Sequence, residues 1–320
     1  MTLKQPFRAV LGLTELLTRV GLSPSPLAQL EQPAAVRQLS KPPFWMTRKG
    51  DPRVTTREVL VEGRGGPVRV RLYLPEDLQP GTPTILYLHG GGFVLGGLDG
   101  CDYITRSLAS RTRLLVASVE YRLAPYCPYP GPLDDCVDAL RWLVNECPEG
   151  IDGTRVAVAG DSAGGNLAAA LALRVRDEGG PHIAHQTLIY PFLDATISAS
   201  SWTTYAGGGI DVDAGHRMVS LYAPNHEAKD PYVSPLHAED LSGLPPALVL
   251  LAEVDVLHGD GHAYAKRLVE AGVPTVRREF ARVPHGFVTM PRLCKEAELA
   301  LDLIASEMSH ALYGEAARRD

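Results

Sequence analysis

The spacing of apolar positions along the chain alternates between the period of a β-strand and that of an α-helix. Two strand-like stretches, Val54 to Val61 and Val68 to Leu74, flank a glycine-rich turn at residues 63–66, which predicts an antiparallel hairpin. Six further strands are predicted at Thr84–Leu88, Leu114–Val119, Val156–Ala159, His185–Tyr190, Ala247–Leu251 and Val276–Phe280. Helices are predicted between them at Tyr103–Ala109, Leu133–Leu143, Gly165–Asp177, His258–Glu270 and Glu296–Leu312. The alternation predicts an α/β fold with a mostly parallel, doubly wound sheet and helices on both faces.

Two segments interrupt this alternation. Residues 1–50 combine an amphipathic helix pattern (Leu11, Leu13, Leu16, Leu17 and Val20) with a proline-rich stretch, and residues 191–230 are rich in Ser, Thr, Gly and aromatic residues, including Gly207, Gly208 and Gly209. Both are too short to fold as independent domains. We predict that they form a small helical cap over the carboxyl edge of the sheet, where sites in such folds lie. Residues 51–190 and 231–320 would then form the catalytic domain.

A candidate nucleophile follows the predicted strand at Val156–Ala159. The sequence Gly160-Asp161-Ser162-Ala163-Gly164 fits the G-x-S-x-G pattern, in which a serine occupies a tight turn between a strand and a helix. Such a turn crowds the backbone, so small flanking residues are needed. A serine at the start of a helix also lies in the positive field of the helix dipole, which favours negative charge developing there.

A glycine triplet after an earlier strand supplies the matching feature. The sequence His89-Gly90-Gly91-Gly92-Phe93 follows the strand at Thr84–Leu88, and backbone donors there could stabilise an oxyanion. A phosphate-binding loop is the competing interpretation, but no Gly-Lys-Ser/Thr follows the triplet. The two motifs in this order, each after a strand, indicate serine-dependent acyl chemistry.

A serine nucleophile needs a base and an acid that orients it, in the order Ser, acid, His on this architecture. His285 fits because it follows the last predicted strand, in the loop Pro284-His285-Gly286-Phe287. The acid is expected just after Ala247–Leu251. Asp255 is favoured by its place in that loop, while Glu253 and Asp260 remain candidates.

Composition excludes several other classes. The chain has 320 residues and a formal net charge of −6, which gives no electrostatic case for binding nucleic acid. No apolar stretch is long enough to span a membrane, and the first twenty residues lack an uninterrupted secretion signal, so we predict a cytoplasmic protein. The five cysteines have no zinc-site spacing and are predicted to be free thiols.

These motifs together resemble the hormone-sensitive-lipase family of bacterial esterases, which have the α/β-hydrolase fold, and within it the acetyl esterase branch. The resemblance extends from about Phe44 to the end and includes, besides the motifs above, Tyr121-Arg122-Leu123-Ala124-Pro125, Ser234-Pro235-Leu236 and Asp255-Val256-Leu257. It implies Ser162, Asp255 and His285 as the catalytic triad and the N–H groups of Gly90, Gly91 and Ala163 as the oxyanion hole. It also implies a cap and, in many members, a homodimer.

The chain departs from the family pattern at two positions. Tyr126 stands where the family usually has the glutamate that supports the glycine loop, and Val256 replaces the usual proline after the acid. Neither change removes a group that the chemistry needs. We therefore expect an active enzyme.

The expected activity is hydrolysis of small esters, acetyl to butyryl, through an acyl-enzyme, with no metal or organic cofactor. The aromatic residues Phe93, Trp202, Tyr205 and Phe287 are candidates to line the acyl and alcohol pockets, although each could equally pack in the core. Two alternatives stay open at this point. The same triad could transfer the acyl group to an alcohol or amine, and plant gibberellin receptors resemble this family but lack the catalytic histidine.

Overall fold

The computed structural model describes residues 3, 4, 7, 43, 45–206, 210–225 and 228–314. Within them, eight strands form one sheet: β1 (Val54–Val61), β2 (Val68–Pro75), β3 (Thr84–Leu88), β4 (Leu115–Glu120), β5 (Val156–Asp161), β6 (His185–Ile189), β7 (Ala247–Val254) and β8 (Thr275–Pro284). Seven α-helices accompany them: α1 (Asp102–Thr112), α2 (Gly131–Glu146), α3 (Ala163–Asp177), α4 (Ser201–Thr204), α5 (Val212–Tyr222), α6 (His258–Glu270) and α7 (Glu296–Tyr313).

The sheet has the order β1-β2-β4-β3-β5-β6-β7-β8. The first two strands form the predicted antiparallel hairpin, and β2 also runs antiparallel to β4. All later pairs are parallel. This is the α/β-hydrolase fold, so the predicted fold class is confirmed.

Alternate residues of the central strands supply two separate cores, because successive side chains of a strand point to opposite faces of the sheet. Leu86 and Leu88 of β3 pack in one core, whereas Ile85 and Tyr87 pack in the other. The first core contains the apolar faces of α2, α3 and α6, and the second contains those of α1 and α7. The strands between them are buried on both faces, which is typical of parallel sheets.

The parallel arrangement brings the carboxyl ends of β5, β7 and β8 to the same edge of the sheet. Ser162 follows β5 directly, Asp255 follows β7, and His285 follows β8. The insert between β6 and β7 carries α4 and α5, and its residues Trp202 and Tyr222 join the first core.

The described parts of residues 1–50 contact a different region. Phe7 is buried in the second core, the Lys4 N–H donates to the Arg282 carbonyl at 3.2 Å, and the Arg292 N–H donates to the Met46 carbonyl at 3.2 Å. The predicted N-terminal helix from Leu11 to Val20 and the glycines at 207–209 lie outside the described residues. Of the helices in the described ranges, none is both long and apolar enough to cross a membrane.

Candidate active site

Ser162 lies on a sharp turn between β5 and α3. Its backbone has φ of 56° and ψ of −117°, a conformation that costs energy for any residue with a side chain. A Cβ atom on Gly160 would overlap the Gly164 carbonyl, and one on Gly164 would overlap the Leu88 carbonyl. The two glycines therefore allow the strand and the helix to approach closely enough to present Ser162 at the sheet edge.

The three side chains singled out by motif order form one hydrogen-bonded series. Ser162 Oγ lies 2.9 Å from His285 Nε2, and His285 Nδ1 lies 2.8 Å from Asp255 Oδ2. Asp255 is held in place by its own loop, since the Leu257 N–H donates to Oδ1 at 2.9 Å. Because a carboxylate accepts the Nδ1 proton, Nε2 is left with a lone pair directed at the serine hydroxyl.

The His285 imidazole is half-buried, and its surroundings shift its pKa in opposite directions. Burial alone lowers the pKa of His285, but the neighbouring Asp255 carboxylate, with a smaller contribution from Asp161, outweighs burial and raises that pKa above its usual 6.5. The imidazole therefore gains a proton more readily than a free histidine does, as a base must.

The other two acid candidates are engaged elsewhere. Glu253 Oε2 accepts the backbone N–H of Arg282 at 2.7 Å. Asp260 is fully buried on α6, where its Oδ2 accepts the Leu193 N–H at 3.4 Å and burial raises its pKa well above the usual range. Among the three candidates, Asp255 is the one whose carboxylate contacts His285.

The glycine loop lies beside Ser162, but its first glycine does not face the site. The Gly90 N–H donates to Asp161 Oδ1 at 3.0 Å, and Gly90 is absent from the lining of the cavity around Ser162. This corrects the expectation that Gly90 contributes an oxyanion donor. Gly91, Gly92 and Ala163 do line the cavity, and no acceptor within the described residues takes their N–H groups.

Asp161 also lines the cavity, although the sequence motifs did not single it out. Its buried carboxylate accepts the Tyr87 hydroxyl at 2.7 Å as well as the Gly90 N–H, and burial raises its pKa. It thus ties the glycine loop to the nucleophile turn. The sequence contains an indication of this role, because an acid that follows the apolar stretch Val156–Gly160 is expected to be buried and to need hydrogen-bond partners.

His89 supports the loop from its other side, as its place in the motif suggests. Its Nδ1 lies 2.8 Å from the Gly90 carbonyl and its ring stacks on Tyr121, whose hydroxyl donates to the His89 carbonyl at 2.6 Å. Burial lowers the pKa of His89 to about 4, so the ring is neutral. Tyr126, at the family's glutamate position, is an exposed residue at a neighbouring surface cavity.

A cavity of about 250 Å³ opens at Ser162. Two of the four aromatic candidates line it, Phe93 and Trp202. Its other apolar walls, which no sequence motif identifies, come from the insert and neighbouring loops: Leu95, Tyr190, Phe192, Ile210, Met218 and Leu257.

The other two aromatic candidates lie away from this cavity, which corrects their expected role. Gly286 has φ of 75° and turns the chain after His285, so Phe287 packs in the second core against Tyr190 and Phe280. Helix α4 ends at Thr204, and Tyr205 leaves the helical conformation. Its ring therefore does not follow Trp202 into the cavity but lies edge-on to His258, with 6.2 Å between ring centroids.

The sequence and the fold are both similar to those of known proteins. Residues 85–289 match a family described as alpha/beta hydrolase fold. The chain is 38% identical over 286 residues to Carboxylesterase NlhH of Mycobacterium tuberculosis, covering 88% of each chain. It is 35% identical to an ethyl acetate hydrolase of Pseudomonas putida, covering 98% of this chain and 100% of that one.

A solved structure is similar over nearly the whole length. An ester-hydrolase from the metagenome of Lake Arreo superposes with a TM-score of 0.88 at 34% identity, covering 96% of this chain and 98% of that chain. The family match includes the glycine loop, the serine turn, Asp255 and His285. The chain belongs to the α/β-hydrolase family, in the group that resembles hormone-sensitive lipase.

Proposed function

We propose that the chain hydrolyses short-chain carboxylic esters, acetyl to butyryl, through an acyl-enzyme formed on Ser162. The main support for this proposal is the hydrogen-bonded series from Ser162 Oγ through His285 to Asp255, with distances of 2.9 and 2.8 Å, in which Ser162 and His285 line an apolar cavity. A binding protein of the same fold has no use for a base hydrogen-bonded to a serine hydroxyl at its cavity.

The similarity to known esterases also shows that the chain is an ester-hydrolysing enzyme. The relatives named above are a carboxylesterase and an ethyl acetate hydrolase, and the structural neighbour is an ester-hydrolase. The finer assignment to the acetyl esterase branch is part of the proposal, supported by the sequence motifs and by the small size of the cavity.

In the proposed mechanism, His285 Nε2 takes the proton of Ser162 as its Oγ attacks the ester carbonyl carbon. Asp255 holds the imidazole in the required tautomer and stabilises its charged form. The tetrahedral intermediate collapses, the C–O bond to the alcohol breaks, and the imidazolium gives its proton to the leaving alcohol. Water then attacks the acyl-enzyme, with His285 again accepting and returning a proton, which releases the acid and free Ser162.

The negative oxygen of the tetrahedral intermediate would be stabilised by the N–H groups of Gly91, Gly92 and Ala163. These donors line the cavity beside Ser162, and Ala163 begins α3, so the helix dipole adds to their effect. Removing one such donor typically lowers kcat by about 10²–10³-fold.

The preference for short acyl chains rests on the dimensions and walls of the cavity. Its volume of about 250 Å³ lies below the range of roughly 300–1,000 Å³ found for sites of drug-sized ligands. Trp202 and Met218 lie at its wall, and both belong to the insert at 191–230. We propose that this insert forms a cap over a catalytic domain of residues 51–190 and 231–320; most of residues 1–50, the other predicted part of the cap, lies outside the described residues.

The proposal is tested by replacing the nucleophile. Ser162→Ala is expected to fold as the wild type and to lose about 10⁴-fold or more in kcat/KM on p-nitrophenyl acetate. Ser242→Ala, at an exposed position away from the cavity, serves as the matched control and should retain full activity. A fluorophosphonate should add one label to the wild type, at Ser162. A label on a different serine would refute the assignment.

A further inference from the structure

The last strand is irregular next to the proposed base. Strand β8 pairs with β7 in regular register from Thr275 to Phe280, but Ala252 pairs with Phe280 whereas Val254 pairs with Pro284. One residue of β7, Glu253, therefore lies opposite three residues of β8. Such a bulge bends a strand and redirects the side chains that follow it. His285 is the residue immediately after this bulged end.

The bulge contains an unfavourable backbone conformation. Arg282 has φ of 60°, in the left-handed region that residues with a Cβ rarely adopt. Both backbone polar groups of Arg282 are hydrogen-bonded to neighbouring residues. Glu253 Oε2 accepts its N–H at 2.7 Å, and its carbonyl accepts the Lys4 N–H at 3.2 Å. The carboxylate of Glu253, a residue only 8% exposed, thus replaces the ladder hydrogen bond that the bulge removes.

Glu253 and Asp255 have complementary positions on the same strand end. Asp255 contacts the His285 ring through Nδ1, whereas Glu253 contacts the backbone three residues before His285. One residue orients the imidazole, and the other fixes the strand that carries it. A displacement of His285 by about 1 Å would lengthen its hydrogen bond to Ser162 and can cost about 10²-fold in rate.

We propose that Glu253 is a positioning residue: by accepting the Arg282 N–H it holds the bulge of β8 in the conformation that places His285 Nε2 within reach of Ser162 Oγ. This inference rests on the proposed function, because it assigns His285 the role of base. It requires Glu253 to act as a hydrogen-bond acceptor and not through its charge.

A matched pair of substitutions separates these two roles. Glu253→Gln keeps an oxygen that can accept the Arg282 N–H, and is expected to retain kcat within about threefold, with an unchanged pH midpoint of kcat/KM. Glu253→Met keeps similar length but cannot accept the N–H, and is expected to lower kcat by roughly 10–100-fold with KM changed much less. Glu279→Met, at an exposed position of the same strand, is the control and should have no effect on kcat.

The conformation at Arg282 provides a rescue test. Glycine adopts a positive φ without strain, so Arg282→Gly in the Glu253→Met background is expected to recover at least about fivefold of the lost kcat. If Glu253→Met is insoluble, the same second substitution should restore soluble, active protein. The inference is overturned if Glu253→Met keeps wild-type kcat, if the double variant recovers neither activity nor solubility, or if Glu253→Gln is as slow as Glu253→Met or shifts the pH midpoint.

The rate of fluorophosphonate labelling at Ser162 keeps this test separate from that of the proposed function. If the wild type is not labelled at all, the proposed function fails. If the wild type and Glu253→Met are labelled at equal rates, the proposed function stands and the positioning role of Glu253 is refuted.

Discussion

At the scale of single residues, the proposed chemistry depends on the protonation state of one imidazole. His285 must be neutral to accept the Ser162 proton, and the Asp255 carboxylate raises its pKa above the usual 6.5 despite the opposing effect of burial. A raised pKa means that a larger fraction of the ring is protonated, and inactive, at any given acidic pH. As pH decreases, the neutral, active form of His285 is therefore lost at a higher pH than the neutral form of a free histidine is.

We expect kcat/KM to fall as pH decreases, by about tenfold per pH unit well below a midpoint that lies above 6.5. The measurement is a pH profile of p-nitrophenyl acetate hydrolysis, with a solvent isotope effect to establish that proton transfer limits the rate. Asp255→Asn should lower kcat by roughly 10⁴-fold, because the amide favours the wrong tautomer of the ring. A flat profile from about pH 5 to 8 would contradict the assignment of His285.

The three side chains of the series could be predicted from the sequence because each follows a recognisable strand in a fixed order. The same reasoning does not show whether the Gly90 N–H is free to serve as an oxyanion donor. Whether that N–H is available depends on the reach of Asp161, a side chain from another strand, to a loop 71 residues away. The local sequence shows which backbone N–H groups the glycine loop offers. It does not show that the Asp161 carboxylate accepts one of them.

At the scale of structural elements, the glycine loop has little tolerance for added atoms. Gly91 has φ of 127°, and a Cβ there would overlap the carbonyl of Leu95 within the same loop. A single methyl group must therefore displace the backbone whose N–H is proposed to face the oxyanion.

Gly91→Ala is expected to lower kcat by about 10²–10³-fold with a smaller change in KM, since the lost interaction is made mainly in the transition state. The control is Gly81→Ala, because Gly81 also has a positive φ, of 74°, but lies in open space away from the site. That variant should lose about 1 kcal/mol of stability and keep its kcat. Equal losses of kcat in the two variants, measured with thermal unfolding alongside, would show a general folding defect instead.

The insert determines the cavity wall through a contact between α4 and α5. A Cβ on Gly215 would lie 2.7 Å from the Trp202 ring and 3.0 Å from Ile197, so the absence of a side chain on α5 lets the indole pack against that helix. The position of Trp202, and hence the room left for an acyl chain, depends on this glycine.

Trp202→Ala should shift the optimum of kcat/KM from acetyl–butyryl towards hexanoyl and longer chains, since each added methylene gains up to about 0.8 kcal/mol while space remains. Gly215→Ala should have the opposite effect and lower the butyryl-to-acetyl ratio, because overpacking costs roughly 1–3 kcal/mol. Tyr205→Ala is the control, as its ring lies outside the cavity. Rates on a series of p-nitrophenyl esters provide the measurement, and a wild-type optimum at decanoyl would refute the assignment of Trp202 as the stop.

The sequence could place Trp202 and Tyr205 in the insert but could not distinguish them. Three residues apart, they would share a face of a continuous helix. Helix α4 contains four residues and ends between them, so they separate. Phe287 fails as a cavity residue for a similar reason, since the turn at Gly286 reverses the direction of the chain. Short elements and turns depend on tertiary contacts, and their side-chain directions are the least predictable from a pattern.

At the scale of the whole molecule, the sheet could be predicted from the sequence because β3, β4, β5 and β7 are largely apolar stretches between helical patterns. All eight predicted strands are present, and their bounds differ by a few residues at most, with β8 the most extended, ending at Pro284 instead of Phe280. That difference is informative, since the added residues form the bulge at Arg282. Apolar periodicity indicates where a strand is regular, and it is lost where an extra pair of residues interrupts the pairing.

The position of β8 at the edge of the sheet has a consequence for how the protein loses its activity. In the part of the chain that the structure describes, β8 pairs with no strand except β7, and its middle residues are exposed, whereas Ser162 extends from β5, which has neighbours on both sides. Edge strands with exposed side chains and backbone hydrogen bonds near solvent open locally at lower free energy than central strands do. Detachment of the end of β8 would remove His285 from Ser162 while most of the sheet remains folded.

Mild denaturant should therefore inactivate the protein before it unfolds. In a urea titration, residual esterase activity is expected to decline at a lower concentration than far-UV circular dichroism, whereas coincident midpoints would mean that the edge and the core unfold as one unit. Activity assays after stress would then underestimate the amount of intact fold. Dilution of the denaturant should restore activity quickly, because only one strand has to re-pair.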